Sequence, residues 1–375
     1  MTDPVDILVV GLGPAGASAA REAARAGCRV RAVDRKRAAG TPVQCAEFVP
    51  RLIGQDVDSV EQVTVQTIET MRTYVESADF DEAPGFTGAM IDRLSFDALL
   101  VQQAEEAGAD CRFDHTLTTV DLVAASLVIG ADGPRSLVRS NAGIPEPRLI
   151  ETRQVTVPLL DRNASTDIFL SAETVGGYAW LFPKGKVANL GVGVVPGARK
   201  QLKPILEKLR RSLIDQGRIG DAILGHTGGA IPVDGIVGPI GALPSGAPVL
   251  LAGDAAGLTN PVTGAGIPAA VMSGTLAGEA AAHWIGGKAD ALVDYAEDID
   301  DLFGASLRRA VARRRELEQK YATSAPRVAD LRRGWIAYPE YWSEDRRLNQ
   351  SAPSGPIAGP RAGQGERQSH DLPQA

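Results

Sequence analysis

Cysteine and histidine are scarce in this chain, and their scarcity removes several chemistries at once. Three cysteines (Cys28, Cys45, Cys111) and four histidines (His115, His226, His283, His370) occur in 375 residues. No C-x-x-C pair exists and no histidine has a partner at triad or ligand spacing, so no metal is expected. An odd, small number of cysteines fits reduced thiols in the cytoplasm better than a disulfide framework. A charge field of one sign is also missing. Lys and Arg total 39 against 46 Asp and Glu, a net charge of −7, which argues against a nucleic-acid partner. No apolar run approaches the roughly 20 residues that span a bilayer. The most apolar region, 248–287, is broken by Asp254, Asn260, Pro261 and Glu279. The first six residues carry no basic, signal-like segment. The expectation is a soluble, cytoplasmic protein with at most peripheral membrane contact.

What is present is enough apolar residue, 44%, to build a full core over roughly two domains. Asp6 to Val10 is an apolar run of strand length, followed by Gly11-Leu12-Gly13-Pro14-Ala15-Gly16, an Ala-rich helix to Ala26, and a second strand, 29–33, ending on Asp34. A less regular stretch, 35–88, contains Pro42-Val43-Gln44-Cys45-Ala46-Glu47. An amphipathic helix then starts near Arg93, and a buried strand ends in Ala131-Asp132-Gly133. From 151 to 195 apolar residues alternate (Val155/Val157/Leu159, Ile168/Leu170, Tyr178/Trp180/Phe182, Leu190/Val192/Val194), as on a sheet with one buried face. Leu202, Ile205, Leu206, Leu209 and Leu213 follow at helical spacing.

The glycine turn is the first chemical signal. Gly11 permits a tight turn, Gly13 lets a pyrophosphate approach the backbone, and Gly16 allows close packing of helix on strand. The helix N-terminus offers free N–H groups and about +0.5 charge to phosphates. Asp34, 23 positions after Gly11, is placed to accept from a ribose hydroxyl. The second signal comes more than two hundred residues later. Gly253-Asp254 ends a buried strand, and Pro261-Val262-Thr263-Gly264-Ala265-Gly266-Ile267 opens a helix of small residues. Asp254 is placed to bond a ribityl chain, and that helix to aim backbone donors at a flavin edge. Two such motifs point to FAD rather than NAD.

Together with Arg93-x-x-Phe96-Asp97, these motifs resemble the p-hydroxybenzoate hydroxylase-like FAD superfamily. Within it, Pro42-Val43-Gln44-Cys45 and Gly177-Tyr178-Ala179-Trp180-Leu181-Phe182-Pro183-Lys184-Gly185 resemble the geranylgeranyl reductase family, over about residues 5–285. The resemblance implies an α/β fold: a Rossmann-type FAD domain with an inserted mixed or antiparallel sheet domain for substrate. The expected parts are 1–150 (with 40–90 contributing to the active site), 151–240 for the substrate sheet, 241–288 completing the FAD domain, 289–348 as C-terminal helices, and 349–375 as a disordered tail. It also implies FAD contacts at Gly11, Gly13, Ala15, Gly16, Asp34, Arg35, Cys45, Ala46, Arg93, Leu117, Asp254, Gly264, Gly266 and Ile267. Tyr178, Trp180 and Phe182 are implied beside an isoprenoid tunnel. The family reduces polyprenyl carbon–carbon double bonds, drawing electrons from NAD(P)H or a ferredoxin-type redox partner. This chain departs from the family at Ala46 and Val175, where Gly and Pro are common.

Reducing an isolated alkene takes a hydride and a proton. FAD supplies the first; Cys45 is the candidate for the second, since a thiol is mostly protonated at neutral pH, though a weak acid. Read from the residues alone, Cys45 also fits a small buried hydrophobe, and the three alternating aromatics fit plain core. Arg308, Arg309, Arg313, Arg314 and Arg315 read as a solvated helix face, or else as a surface for lipid phosphates or a substrate pyrophosphate. Three further readings stay open: a flavin monooxygenase acting on an aromatic substrate, a flavin halogenase, and an electron-transfer flavoprotein without substrate chemistry.

Overall fold

The structure, a computed structural model, describes residues 4–119 and 125–343; the tail expected from 349 lies outside the described residues. The strands are β1 (Val5–Val10), β2 (Val30–Val33), β3 (Phe48–Pro50), β4 (Thr64–Val75), β5 (Phe80–Ile91), β6 (Asp110–Arg112), β7 (Ala125–Gly130), β8 (Leu149–Pro158), β9 (Ser165–Leu170), β10 (Ala179–Lys184), β11 (Val187–Val194), β12 (Gly225–Thr227), β13 (Ala230–Pro232), β14 (Ile240–Ala242) and β15 (Pro248–Leu251). The helices used below are α1 (Pro14–Arg25), α2 (Arg93–Glu106), α3 (Leu137–Asn141), α4 (Leu202–Asp215), α5 (Ile267–Ile285), α6 (Ala291–Ile299), α7 (Ala305–Thr323) and α8 (Val328–Arg333). No helix among the described residues is long and apolar enough to cross a membrane.

Two sheets organise these elements. The first runs β14-β15-β7-β1-β2-β6 and is parallel except at β14. Its central strands are near-continuous apolar runs because both faces are covered. α1 and α5 pack unusually closely against each other. A Cβ at Gly274 would stand 2.1 Å from the Ala15 carbonyl oxygen, and one at Gly278 2.4 Å from that of Ala19. The small-residue composition of α5 is therefore a packing requirement, and it draws together two segments far apart in sequence.

The second sheet runs β12-β8-β11-β10-β9-β4-β5-β3, with β13 also on β8. Its strands pair antiparallel except β4 with β9. It differs from the sequence expectation in two ways. First, β3, β4 and β5 come from the stretch read as irregular, so the sheet begins well before residue 151. Second, both of its faces are buried. Val155, Val157, Leu190, Val192 and Leu181 pack under Leu202, Leu206 and Leu213 of α4. Ile168, Leu170, Trp180 and Phe182 face the other way, with Ile68, Met71 and Met90. Polar residues are interleaved on that second face, which is why the pattern reads as half-solvated.

The late helices also depart from expectation. Of the five arginines read as a solvated face, Arg313 and Arg314 are buried. The Arg313 Nε donates to the Tyr341 carbonyl at 2.9 Å, and the Arg314 guanidinium donates to the Pro261 carbonyl at 3.1 Å. Burial lowers the Arg314 pKa, while Glu318 beside it works to keep the charge. These arginines anchor the helix and brace the loop that leads into α5.

Candidate active site

A cleft of about 1090 Å³ lies between the two sheets. It exceeds the ~300–1,000 Å³ of ordinary small-molecule pockets. Every residue singled out from the sequence as a site residue lines it except Gly16, which lies behind the turn.

At one end β1 delivers the chain into the glycine turn. Gly11 adopts φ +97°, and a Cβ there would stand 2.3 Å from the Ala131 carbonyl oxygen; one at Gly16 would meet the Gly11 oxygen at 1.8 Å. Those two glycines serve the fold. Gly13 differs: its φ is −80° and a Cβ would meet nothing within 4 Å. It caps α1 with no side-chain acceptor on the helix N–H groups, leaving them to face the cleft. Asp34, at the end of β2, is buried and accepts from the backbone N–H groups of Leu12 and Lys36 at 2.9 and 2.8 Å. A carboxylate has about four acceptor positions, so room is left for a ribose hydroxyl. Arg35 is exposed at the rim, and Leu117 lies half-buried on the same side.

The second motif meets the first in the middle of the cleft. A Cβ on Gly253 would lie 3.1 Å from that of Ala15. Asp254 accepts from the Thr259 hydroxyl. Burial pushes its pKa up, against the pull of that hydroxyl and of the Arg93 charge. Gly264 takes φ +70° in a loop tied by the Asn260 side chain, and Gly266 caps α5 with no side-chain partner. Ile267 and Pro268 start the helix. Asp132 proves local: it accepts from the Ser136 hydroxyl and from the Leu137 N–H at 2.6 Å, fixing the start of α3.

Cys45 stands where these ends converge. The Arg93 guanidinium is held in a two-pronged pair by Asp97, at 2.9 and 3.1 Å, with the Cys45 sulfur beside it. Burial works to discharge Arg93, but Asp97 and Cys45 outweigh it and hold the pKa up. The Glu47 N–H donates to the Cys45 sulfur at 3.1 Å, from a residue in the left-handed region (φ +69°). A donor and a cation thus meet the sulfur, an arrangement suited to receiving negative charge when the thiol gives up a proton. Glu47 is itself buried, accepting from Lys184 at 2.8 Å and Asn189 at 2.9 Å.

The aromatics from the sequence do share one face, and they belong to a longer wall. Successive ring contacts run Phe86–Phe48 (5.4 Å), Phe48–Phe182 (6.1 Å), Phe182–Trp180 (6.5 Å), Trp180–Tyr178 (5.6 Å) and Tyr178–Trp335 (4.8 Å). All six rings line the cleft. Burial, and then the proximity of Cys45, raise the Tyr178 pKa; its hydroxyl donates to the Thr263 carbonyl. Sequence reasoning missed Phe48, Phe86 and Trp335. It also missed Gln154, Asn189 and Thr227, whose side chains donate to the carbonyls of Cys45 (3.0 Å), Ala46 (3.2 Å) and Val43 (2.6 Å). A polar residue every second position opposite Val155 and Leu190 was the available signal. No group of His, Cys, Asp and Glu among the described residues could hold a metal.

Residues 151–230 match the geranylgeranyl reductase catalytic domain. The chain is 33% identical to digeranylgeranylglycerophospholipid reductase 1 of Methanococcoides burtonii, over 76% of each chain. It is 32% identical to digeranylgeranylglycerophospholipid reductase 2 of Methanopyrus kandleri, over 82% of this chain and 85% of that one. In fold it is similar to a geranylgeranyl bacteriochlorophyll reductase-like protein of Thermoplasma acidophilum, with a TM-score of 0.72, 24% identity, and coverage of 93% and 99% of the two chains. The chain belongs to the geranylgeranyl reductase family of FAD-dependent oxidoreductases.

Proposed function

We propose that this protein reduces carbon–carbon double bonds of a polyprenyl chain carried on a phosphate-bearing head. One observation carries the reading: Cys45 and its loop stand between a dinucleotide cradle and an unbroken wall of six aromatic rings. The cradle fits FAD, since Gly13 is open in front of an uncapped helix end and Asp34 and Asp254 stand ready for hydroxyl groups. Gly11, Gly13, Ala15, Gly16, Asp34 and Arg35 would hold the adenine dinucleotide half. Cys45, Ala46, Arg93, Leu117, Asp254, Gly264, Gly266 and Ile267 would surround the flavin half. When bound and reduced, FAD supplies the hydride.

The chain's own residues then have four tasks. Tyr178, Trp180 and Phe182 orient the tail and exclude water. Cys45 gives a proton from its sulfur to one alkene carbon as hydride reaches the other, breaking the π bond and forming two C–H bonds. Arg93 and the Glu47 N–H hold the charge left on sulfur until water returns a proton. The two electrons come from the cofactor, which a nicotinamide cofactor or a ferredoxin-type protein restores. The relatives sharing about a third of their residues with this chain are reductases, which favours this reading over oxygenation or halogenation. The test is anaerobic. Photoreduced protein is mixed with geranylgeranyl diphosphate or a digeranylgeranyl glycerophospholipid, while flavin absorbance and product mass are followed. Reoxidation with a gain of two hydrogens per turnover is expected. A flavin that stays reduced until oxygen enters overturns it.

A further inference from the structure

Gln154 sits under the Cys45 loop in a position the reaction does not obviously require. It lies on β8, directly across from Gly191 on β11, which in turn lies across from Trp180 on β10. The three residues form one row across the sheet. A Cβ on Gly191 would stand 2.2 Å from Cζ2 of Trp180. The missing side chain is therefore what lets the indole lie flat over β11 and reach Gln154. The indole Nε1 donates to Gln154 Oε1 at 3.0 Å, and Gln154 Nε2 donates to the Cys45 carbonyl at 3.0 Å. Gln154 and Trp180 are 4% and 7% exposed. The amide has only one workable orientation, because an indole N–H can only donate and a carbonyl can only accept. Asn189, in the next polar row, holds the neighbouring Ala46 carbonyl.

From this row we infer that Gln154 is a positioning residue. It couples the orientation of Trp180, on the wall that holds the tail, to the placement of the Cys45 thiol that protonates it. This rests on the proposed role of Cys45. A tail that seats against Trp180 in the correct pose finds the proton donor already set, because one amide fixes both. Gln154→Leu removes both bonds at similar volume and lets the Cys45 carbonyl shift.

The experiment is a double-mutant cycle with Cys45→Ala, run on the FAD-loaded protein with anaerobic reduction of geranylgeranyl diphosphate, together with Cys45 alkylation by iodoacetamide in the absence of substrate. Gln154→Leu is expected to lower kcat at least tenfold with a smaller rise in KM from the released indole, and to change the Cys45 alkylation rate severalfold. In the Cys45→Ala background its cost should shrink to the few-fold part owed to the released Trp180 indole, since residues acting through one group are non-additive. Gln154→Glu supplies an independent readout and a second variant should the leucine protein fold poorly. Its carboxylate repels the Cys45 carbonyl, but once protonated it donates as the amide does, so activity should recover as pH falls while Gln154→Leu shows no such recovery. Multiplicative losses in the cycle, or a Gln154→Glu profile parallel to wild type, would overturn the inference. A Cys45→Ala protein with wild-type turnover would instead remove the role of Cys45, and the coupling with it.

Discussion

Replacing Gly13 by alanine separates what the glycine turn does for the fold from what it does for a ligand. At φ −80° with open space in front of the Cβ position, alanine needs no rearrangement. Two small terms act on the protein without cofactor. Alanine is a poorer helix cap than glycine by about 0.5–1 kcal/mol, and it stabilises by about 0.4–1 kcal/mol through a less flexible unfolded chain. They nearly cancel, so the melting temperature of the apoprotein should move by no more than ~2 °C. The methyl group, however, projects into the space in front of the α1 N–H groups. Losing one or two charge-assisted bonds there costs about 2–4 kcal/mol, a ~30- to 1,000-fold weaker FAD affinity. The assay is a thermal melt with and without FAD, paired with titration by flavin fluorescence. Wild type should gain stability on adding FAD by mass action, and Gly13→Ala should gain far less. Gly278→Ala is the control: its Cβ would strike the Ala19 carbonyl at 2.4 Å, one turn beyond the cradle, so it should lose about 1–3 kcal/mol with and without FAD alike. A Gly13→Ala protein that binds FAD as tightly as wild type, or whose apo form melts many degrees lower, would refute the reasoning.

Asp254 should show the opposite trade. Burial raises its pKa in the folded state, so its contribution to stability is present at low pH and is lost as pH rises through that raised value. Asp254→Asn should therefore melt higher than wild type as the apoprotein at neutral pH, the gap closing toward pH 4, yet bind FAD less tightly; equal melting curves at pH 7 would count against it. Alkylation should find one thiol. Burial pushes Cys111 up to about 12 and raises Cys28, whereas Cys45 lines the open cleft, so mass spectrometry at pH 8 should place the first label on Cys45 and FAD should slow it. Along one edge of the cleft Arg153, Arg199, Lys200 and Lys203 line the wall with no carboxylate at salt-bridge distance among the described residues. Reversing Arg199, Lys200 and Lys203 to Glu should raise KM for geranylgeranyl diphosphate ~10-fold at low salt, less at high salt, and leave the neutral prenyl alcohol unaffected; unchanged KM for the diphosphate would remove the edge as a phosphate contact.

The glycine turn, Asp34 and the Gly253 to Ile267 segment could be read from sequence because each is a local requirement written in consecutive residues. The β4–β5 hairpin could not. Its pairing slips between Thr64 and Gln66 and again between Ile68 and Thr70, and each bulge shifts the alternation on which a strand is recognised. Trp335 was invisible for another reason. It follows Arg332-Arg333-Gly334 in a charged segment, and only the folding of that segment over the second sheet brings its ring to 4.8 Å from Tyr178. Gln154 and Asn189 were legible as polar positions on alternating strands, but alternation assigns such residues to solvent by default. Here the default fails because the carbonyls of a loop from residues 42–47, more than a hundred positions away, take the place of water.

That substitution explains how one sheet face can hold both halves of the proposed chemistry. A reaction between a hydrocarbon and a thiol needs an apolar surface for the first and fixed polar partners for the loop bearing the second, within a few ångströms. On β8, β11 and β10 both demands fall on residues of the same parity. Gln154 and Asn189 lie under the loop, while Trp180 and Phe182 carry the aromatic wall proposed for the tail. Because side chains alternate strictly along a strand, a one-residue slip of β8 would bring Val155 beneath Cys45 and drive Gln154 against Leu202 and Leu206. The apolar packing of Val155 and Val157 on α4 is thus what sets the register of the polar row on the far side. The hydrophobic core beneath the sheet places the loop that bears Cys45, the proposed proton donor, above it.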